Sequence, residues 1–465
     1  MKNQLLFIAV IVLALAMVFG AMGCAPVDQE EEVSPPPDED VDEDVDEDEE
    51  VVEFDGEIKI AVTGPMTNIQ GEMMWWGAEM AMNEINEDGG VTIGDETYSV
   101  RLIQVETDEI MDPLGAVSAV ENVIISEDPH FLIGGFRTEA VMPYTDLVAQ
   151  DYQKIFVICG AATNELLEGR IDEDYDTWKY LFRVTPIKST DLVTVTILML
   201  NEVAMAVREE LGIEQPKVAI LAEALEWNEA LVQMAPQIFP TLGLEFVGTF
   251  RPSATASDVT TELRGIEASG AQIIYTIFSG PVGIPYGRQW GELEIPAASV
   301  GINVEAQKSG YYPATDGFGD YDYTLMTFAQ NTEITPETIP FIEKFVDLYG
   351  QLPNYNADTY SAVYILTEAA ERAGTLDTDA VIVEMEQTDR ISAAGRFVFD
   401  ENHDVTFGPG FVTALGVQWQ DGELLGAGWP IEWQPDPENA PDLVVGHEGM
   451  VPYQLPPHVL EQWRE

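Results

Sequence analysis

The chain has 465 residues, long enough for two lobes with separate cores, and it carries 83 acidic against 20 basic side chains for a formal net charge of −63. That imbalance makes nucleic acid and anionic membrane surfaces poor partners, since both repel it. Two cysteines, Cys24 near the amino terminus and Cys159 in an apolar strand, argue against a disulfide framework.

The first 24 residues read as an export signal. Met1–Gln4 is short and weakly positive, Leu5–Phe19 is apolar, and Gly20-Ala21-Met22-Gly23 places small residues before Cys24. The run is too short for a spanning helix. Its end resembles the lipobox of bacterial lipoproteins, which would make Cys24 the lipid-bearing first residue of the mature chain; a plain secretory signal is the alternative. Residues 25–56 follow as a tether. From Asp28 to Glu57 there are 18 acidic and no basic residues around Pro35-Pro36-Pro37, so this stretch cannot bury enough apolar surface to offset its ordering entropy. It also lacks the glycine and ligand spacing of a calcium loop.

From Glu57 onward, strand-like runs alternate with helical patterns, the signature of a parallel α/β succession. Glu57–Thr63 reads as a strand, Gly64–Gly71 as a loop and Glu72–Asn86 as a helix with Met74, Ala78, Ala81, Met82 and Ile85 in one arc. Trp75 falls on the edge of that arc and Trp76 opposite it, so at least one large ring is expected to lie outside the core. The pattern continues with strand Tyr98–Glu106, helix Gly115–Ser126, strand His130–Gly134, helix Ala140–Gln150 and strand Lys154–Ile158. A second round comprises helix Leu192–Leu211, strand Lys217–Leu221, helix Trp227–Phe239, strand Leu244–Phe250, helix Val259–Ser269 and strands Gln272–Ile277 and Ala298–Val304. Helices Pro340–Tyr349 and Ala357–Ala373 precede a β-rich stretch from about Arg396. Ligands of such sheets bind where strand carboxyl ends meet helix amino ends.

Four segments together resemble the type I periplasmic substrate-binding proteins of ABC importers, in the leucine/isoleucine/valine-binding family. They are Ile58–Thr67 with Gly77-Ala78 and Asn83–Val91; Asp108 with Asp112-Pro113 and the helix after them; the loops Ile133–Thr138 and Gly160–Thr163; and Tyr180–Pro186. The resemblance implies an α/β fold of two doubly wound parallel-sheet lobes joined by a three-strand hinge. It implies lobe I over 57–184 and 322–396, lobe II over 185–321, its end with the hinge over 397–430, and a proline-rich extension over 431–465.

It also implies a site for a small amino-acid-type ligand, with Thr138, Ala161 and Thr163 holding its carboxylate and Trp227 and Phe278 on the opposing lobe. The family's aromatic aligns with Gln70, beside Trp75, and its ammonium-binding acid aligns with Asn303. Asn303 is neutral, so Glu305 or Glu139 takes that task, or the ligand is a short amide, urea or aromatic acid; Arg137 is a further candidate. The expected partners are the ligand, an ABC permease with its ATPases and, through the lipid anchor, the outer face of the cell membrane. No nucleic acid, metal or cofactor is expected, and the chain is expected to be a monomer.

An enzyme is a weak rival, with four histidines and no nucleophile elbow or phosphate loop. A ligand sensor would need a separate membrane partner, since no second apolar run looks long enough to span a bilayer. Beyond the tether, residues 58–465 still hold 65 acids against 19 bases, which suits high salt, where screening removes self-repulsion. The signal-free domain is therefore expected to melt at higher temperature in molar salt than in dilute buffer; equal melting points would count against a salt-adapted surface.

Overall fold

The computed structural model describes residues 53–185, 188–408, 410–428 and 449–464. The expected signal, Cys24, nearly all of the tether and the first part of the proline-rich extension lie outside them.

The first sheet contains β1 (Gly56–Gly64), β2 (Val91–Ile93), β3 (Glu96–Glu106), β4 (Phe131–Gly134), β5 (Ile155–Ile158) and β6 (Leu181–Arg183) in the order β2-β3-β1-β4-β5-β6. All its pairings are parallel except β2 with β3. β4 and β5 are buried along their whole length, which explains why they read as unbroken apolar runs rather than alternating ones. The second sheet contains β7 (Lys217–Ala222), β8 (Glu245–Phe250), β9 (Ile273–Phe278), β10 (Ala298–Asn303) and β11 (Tyr323–Met326), then β14 (Leu415–Gln420) and β15 (Glu423–Gly428), ordered β15-β14-β11-β10-β9-β7-β8. A small hairpin, β12 (Arg390–Ser392) and β13 (Gly395–Phe397), stands apart. Strand order reverses between β1 and β4 in one sheet and between β7 and β9 in the other, so each sheet opens a crevice at its carboxyl edge.

Three expectations need correction. β11 pairs with β10 and β14, so the second lobe runs past the expected boundary at 322, and the chain returns to the first lobe only with helix Thr338–Tyr349. Trp76 is not left over. It stacks on Tyr349 at 5.2 Å and meets Phe345 edge-on, both on that returning helix, which covers the side of helix Ile69–Glu87 away from the sheet. Helix Ser189–Leu211 is long and apolar enough to cross a membrane, with a mean hydropathy of 1.5, yet half of its apolar window is buried where it packs on β9 and β10.

The first and third crossings between lobes are bound to each other. The Arg183 N–H donates to the His403 carbonyl at 3.0 Å, and the Val405 N–H donates to the Arg183 carbonyl at 2.9 Å. The fully buried Arg183 guanidinium makes a two-pronged pair with Asp404 at 2.5 and 3.0 Å and also donates to the carbonyls of Ala161 and Thr163. Lys188 and the buried Asp191 stand beside this pair.

Burial pushes the Asp191 carboxyl up to about 7; Lys188 opposes the shift and Asp404 adds to it. Between the ordinary carboxylate value of about 3.9 and that point, the folded chain keeps a proton that the unfolded chain has released, so stability falls as pH rises through this window. Asp191→Asn is expected to match the wild type near pH 4 and to be more resistant to urea at pH 8. A wild type as stable as the variant at pH 8 would show that the ionised carboxylate carries no penalty.

Candidate functional site

The carboxyl edges of the two sheets face each other across a cleft of about 460 Å³, including its mouth. From the first lobe come Phe136, Arg137 and Thr138 after β4, Gly160 and Ala162 after β5, and Tyr355 from the returning chain. From the second come Leu192, Trp227, Ser279, Ile302, Val304, Gln307 and Leu325.

Of the residues singled out in the sequence, Arg137, Thr138 and Trp227 line this cleft. Arg137 is only 7% exposed, and its Nε and Nη2 have no hydrogen-bond partner among the described residues. The neighbouring Thr138 hydroxyl and the Glu139 Oε2 are likewise buried without a partner among them. Glu139 uses its other oxygen, Oε1, to accept the Trp227 backbone N–H from the opposite lobe at 3.3 Å. Trp227 in turn has its indole N–H fixed on Glu223 at 2.9 Å.

The other candidates stand elsewhere. Phe278 packs in the second lobe's core against Tyr286, and it is Ser279, the next residue, that reaches the cleft. Ala161 gives its carbonyl to Arg183, while Ala162 lines the cleft. The Thr163 hydroxyl bonds Glu165. Trp75 is half-buried on its helix, its indole donating to Glu79 at 3.2 Å. Asn303 turns into the second lobe, where its amide donates to Asp322 at 2.9 Å within a network that includes Tyr311 and Ser299. Glu305 is paired with Lys308 and flanked by Gln70 from the first lobe. Burial pushes the Glu305 carboxyl up, and Lys308 and Gln70 pull it back.

Two residues that the sequence did not single out shape both walls. Glu109, fully buried, accepts the N–H groups of Phe136 and Arg137 on Oε2 at 2.7 and 2.6 Å and the hydroxyls of Thr107 and Tyr144 on Oε1. Burial pushes its carboxyl up, and those bonds pull it down. In the second lobe Glu223 takes the N–H groups of Ser279 and Gly280 at 2.7 and 3.0 Å. The N–H groups of Phe136 and Arg137 after β4, and of Ser279 and Gly280 after β9, are thus taken by internal carboxylates. Nothing in the sequence distinguishes Glu109 from Glu106, Asp108 or Asp112 around it.

A family model described as periplasmic binding protein matches residues 57–418. Leu/Ile/Val-binding protein homolog 7 of Brucella abortus is 23% identical over 383 residues, covering 78% of this chain and 88% of that protein. A leucine-binding protein from Thermotoga maritima has a TM-score of 0.63 at 20% identity, over 80% of this chain and 98% of its own. A solute-binding protein of an ABC transporter from Rhodopseudomonas palustris, in complex with p-hydroxybenzoic acid, has a TM-score of 0.65 at 18% identity, over 82% and 98%.

Removing Glu109 leaves two buried N–H groups unpaired at roughly 1–3 kcal/mol each. Glu109→Leu is therefore expected to lower the unfolding free energy by about 2–5 kcal/mol in urea titrations. Glu109→Gln, which keeps an acceptor, should recover most of that loss; equal losses in both would show that charge rather than hydrogen bonding holds the loop.

Proposed function

This chain belongs to the periplasmic binding protein family, and from that premise we propose that it is the solute receptor of an ABC importer, closing its two lobes on a hydrophobic α-amino acid. The observation that carries the reading is the run Arg137, Thr138 and Glu139, the first two of which line the cleft. It leaves a guanidinium, a hydroxyl and a carboxylate oxygen buried and without partners among the described residues. An α-amino acid brings a carboxylate and an ammonium on the same carbon, which together complement those groups. Arg137 and Thr138 would take the carboxylate and Glu139 the ammonium, each charged hydrogen bond contributing roughly 1.5–3 kcal/mol. On this reading Asn303 can be neutral because the acid comes from the first lobe. Leu192, Ile302, Val304 and Leu325 supply an apolar wall for the ligand's side chain, and Trp227, tied to both Glu139 and Glu223, acts as the lid.

Closure stabilised by contacts made only when both lobes meet needs no catalysis. Delivery would be to a permease with its ATPases, from a monomer held outside the cell membrane by a lipid on Cys24 and an acidic tether, in a salt-rich setting. A second reading is an aromatic acid. The rings of Phe136, Trp227 and Tyr355 line the cleft, no carboxylate stands among the residues lining it, and the Rhodopseudomonas palustris structure is a complex with such an acid.

A thermal-shift screen of the signal-free domain separates the two. A ligand at a hundredfold excess over Kd adds about 2.7 kcal/mol of stability. Leucine, isoleucine or valine is expected to raise the melting point, Arg137→Met to abolish the shift, and Trp227→Ala or Thr138→Ala to weaken binding about tenfold, or ~1.4 kcal/mol. Glu139→Gln should weaken leucine but not 4-methylpentanoate, which lacks the ammonium. A shift by p-hydroxybenzoate alone favours the second reading, and full affinity in Arg137→Met overturns the site.

A further inference from the structure

Gln307 joins Ser279 as a polar residue in the second lobe's wall of the cleft, where the Ser279 hydroxyl is already bonded to Glu223. It sits in the short turn Val304–Gln307 that follows β10, is 0% exposed and lines the cleft beside Val304, Ile302 and Leu325. Its Nε2 donates to the Leu325 carbonyl at 2.8 Å. That bond fixes which way the amide faces, because the flipped amide would set two carbonyl oxygens against each other. The remaining oxygen, Oε1, is buried with no partner among the described residues. A buried acceptor is costly when unmet, and a pocket that holds one discriminates against ligands unable to satisfy it.

We infer that Gln307 selects ligands whose side chain carries a hydrogen-bond donor, so that the preferred solute is a small hydroxyl- or amide-bearing α-amino acid rather than a purely aliphatic one. The inference rests on the α-amino-acid part of the reading above and revises its side-chain class from aliphatic to donor-bearing. Arg137, Thr138 and Glu139 meet the ligand's charged end from the first lobe, while Gln307 meets its side chain from the second. An aliphatic ligand would press carbon against Oε1 and leave it unpaired. A donor in the same place gives Oε1 the partner that it lacks among the described residues.

Near-isosteric pairs test this on the unmodified protein. Threonine against valine and asparagine against leucine differ in polar groups at nearly constant shape. By isothermal titration of the signal-free domain, the donor-bearing member is expected to bind at least tenfold tighter in one pair or both. Gln307→Met, which keeps the volume and removes the acceptor, is expected to erase or reverse that preference; because it also frees the Leu325 carbonyl, its melting point is measured alongside. Equal or tighter binding of the aliphatic member in both pairs overturns the inference while leaving the amino-acid reading standing. No binding of any of the four overturns both.

Discussion

Two arginines are buried among the described residues, and the difference between them organises the molecule. Arg183 has partners for its Nε and both terminal nitrogens: Asp404 on the third crossing and the Ala161 and Thr163 carbonyls on a first-lobe cleft loop. One side chain thereby fixes the hinge strands to each other and to a wall of the cleft. Removing one member of such a buried pair typically costs about 3–5 kcal/mol, because the other charge is left uncompensated. Arg137 is buried nearly as deeply, and two of its nitrogens have nothing to bond among the described residues. A buried guanidinium with two nitrogens unmet would favour a ligand that completes it.

The two lobes solve the same problem in the same way. Each has a sheet whose strand order reverses near its middle, and at each reversal a buried glutamate just beyond a strand end gathers the backbone donors of a neighbouring loop. The bonds to Glu109 and Glu223 tie these loops to the body of each lobe without any ligand contact, which would lessen the ordering entropy lost on binding. Trp227 links the two arrangements, with its ring on one lobe's glutamate and its backbone N–H on the other lobe's Glu139. Gly280 leaves room for the first lobe's Arg137: a Cβ there would lie 3.1 Å from Arg137 Nη2 and 3.0 Å from Glu223 Oε2.

The succession of strands and helices and the position of the cleft loops were legible in the sequence because fully buried parallel strands write themselves as apolar runs, several of them ending in glycine. The facing of individual residues was less legible. Phe278 in place of Ser279 and Ala161 in place of Ala162 are one-residue displacements, and next to a strand a single step exchanges core for cleft. Asn303 was read as a ligand contact, but a neutral amide is equally at home beside a buried acid, and Asp322 lies 19 residues on. Helix Gly283–Glu292 went unseen because three glycines and a proline in ten residues suppress helical propensity. Those glycines, at 283, 287 and 291, lie one above another and let the helix press against Asn303, Tyr311 and Phe318. Tertiary packing overrode local preference there. Trp76 was unassignable for a related reason, since its partners Phe345 and Tyr349 are far along the chain.

The internal occupation of the loop donors by Glu109 and Glu223 has a consequence for competition by ordinary ions. Open backbone N–H groups at strand ends form concavities that take up small spherical anions. Chloride, abundant in any salty medium, would otherwise reside there and have to be expelled by each incoming solute. With those four donors taken by the chain's own carboxylates, an anion entering the cleft would meet the Thr138 hydroxyl and the planar Arg137 guanidinium fork, whose geometry matches two oxygens of one carboxylate far better than a sphere. Selectivity against the commonest inorganic anion would then be built in before the receptor meets its solute.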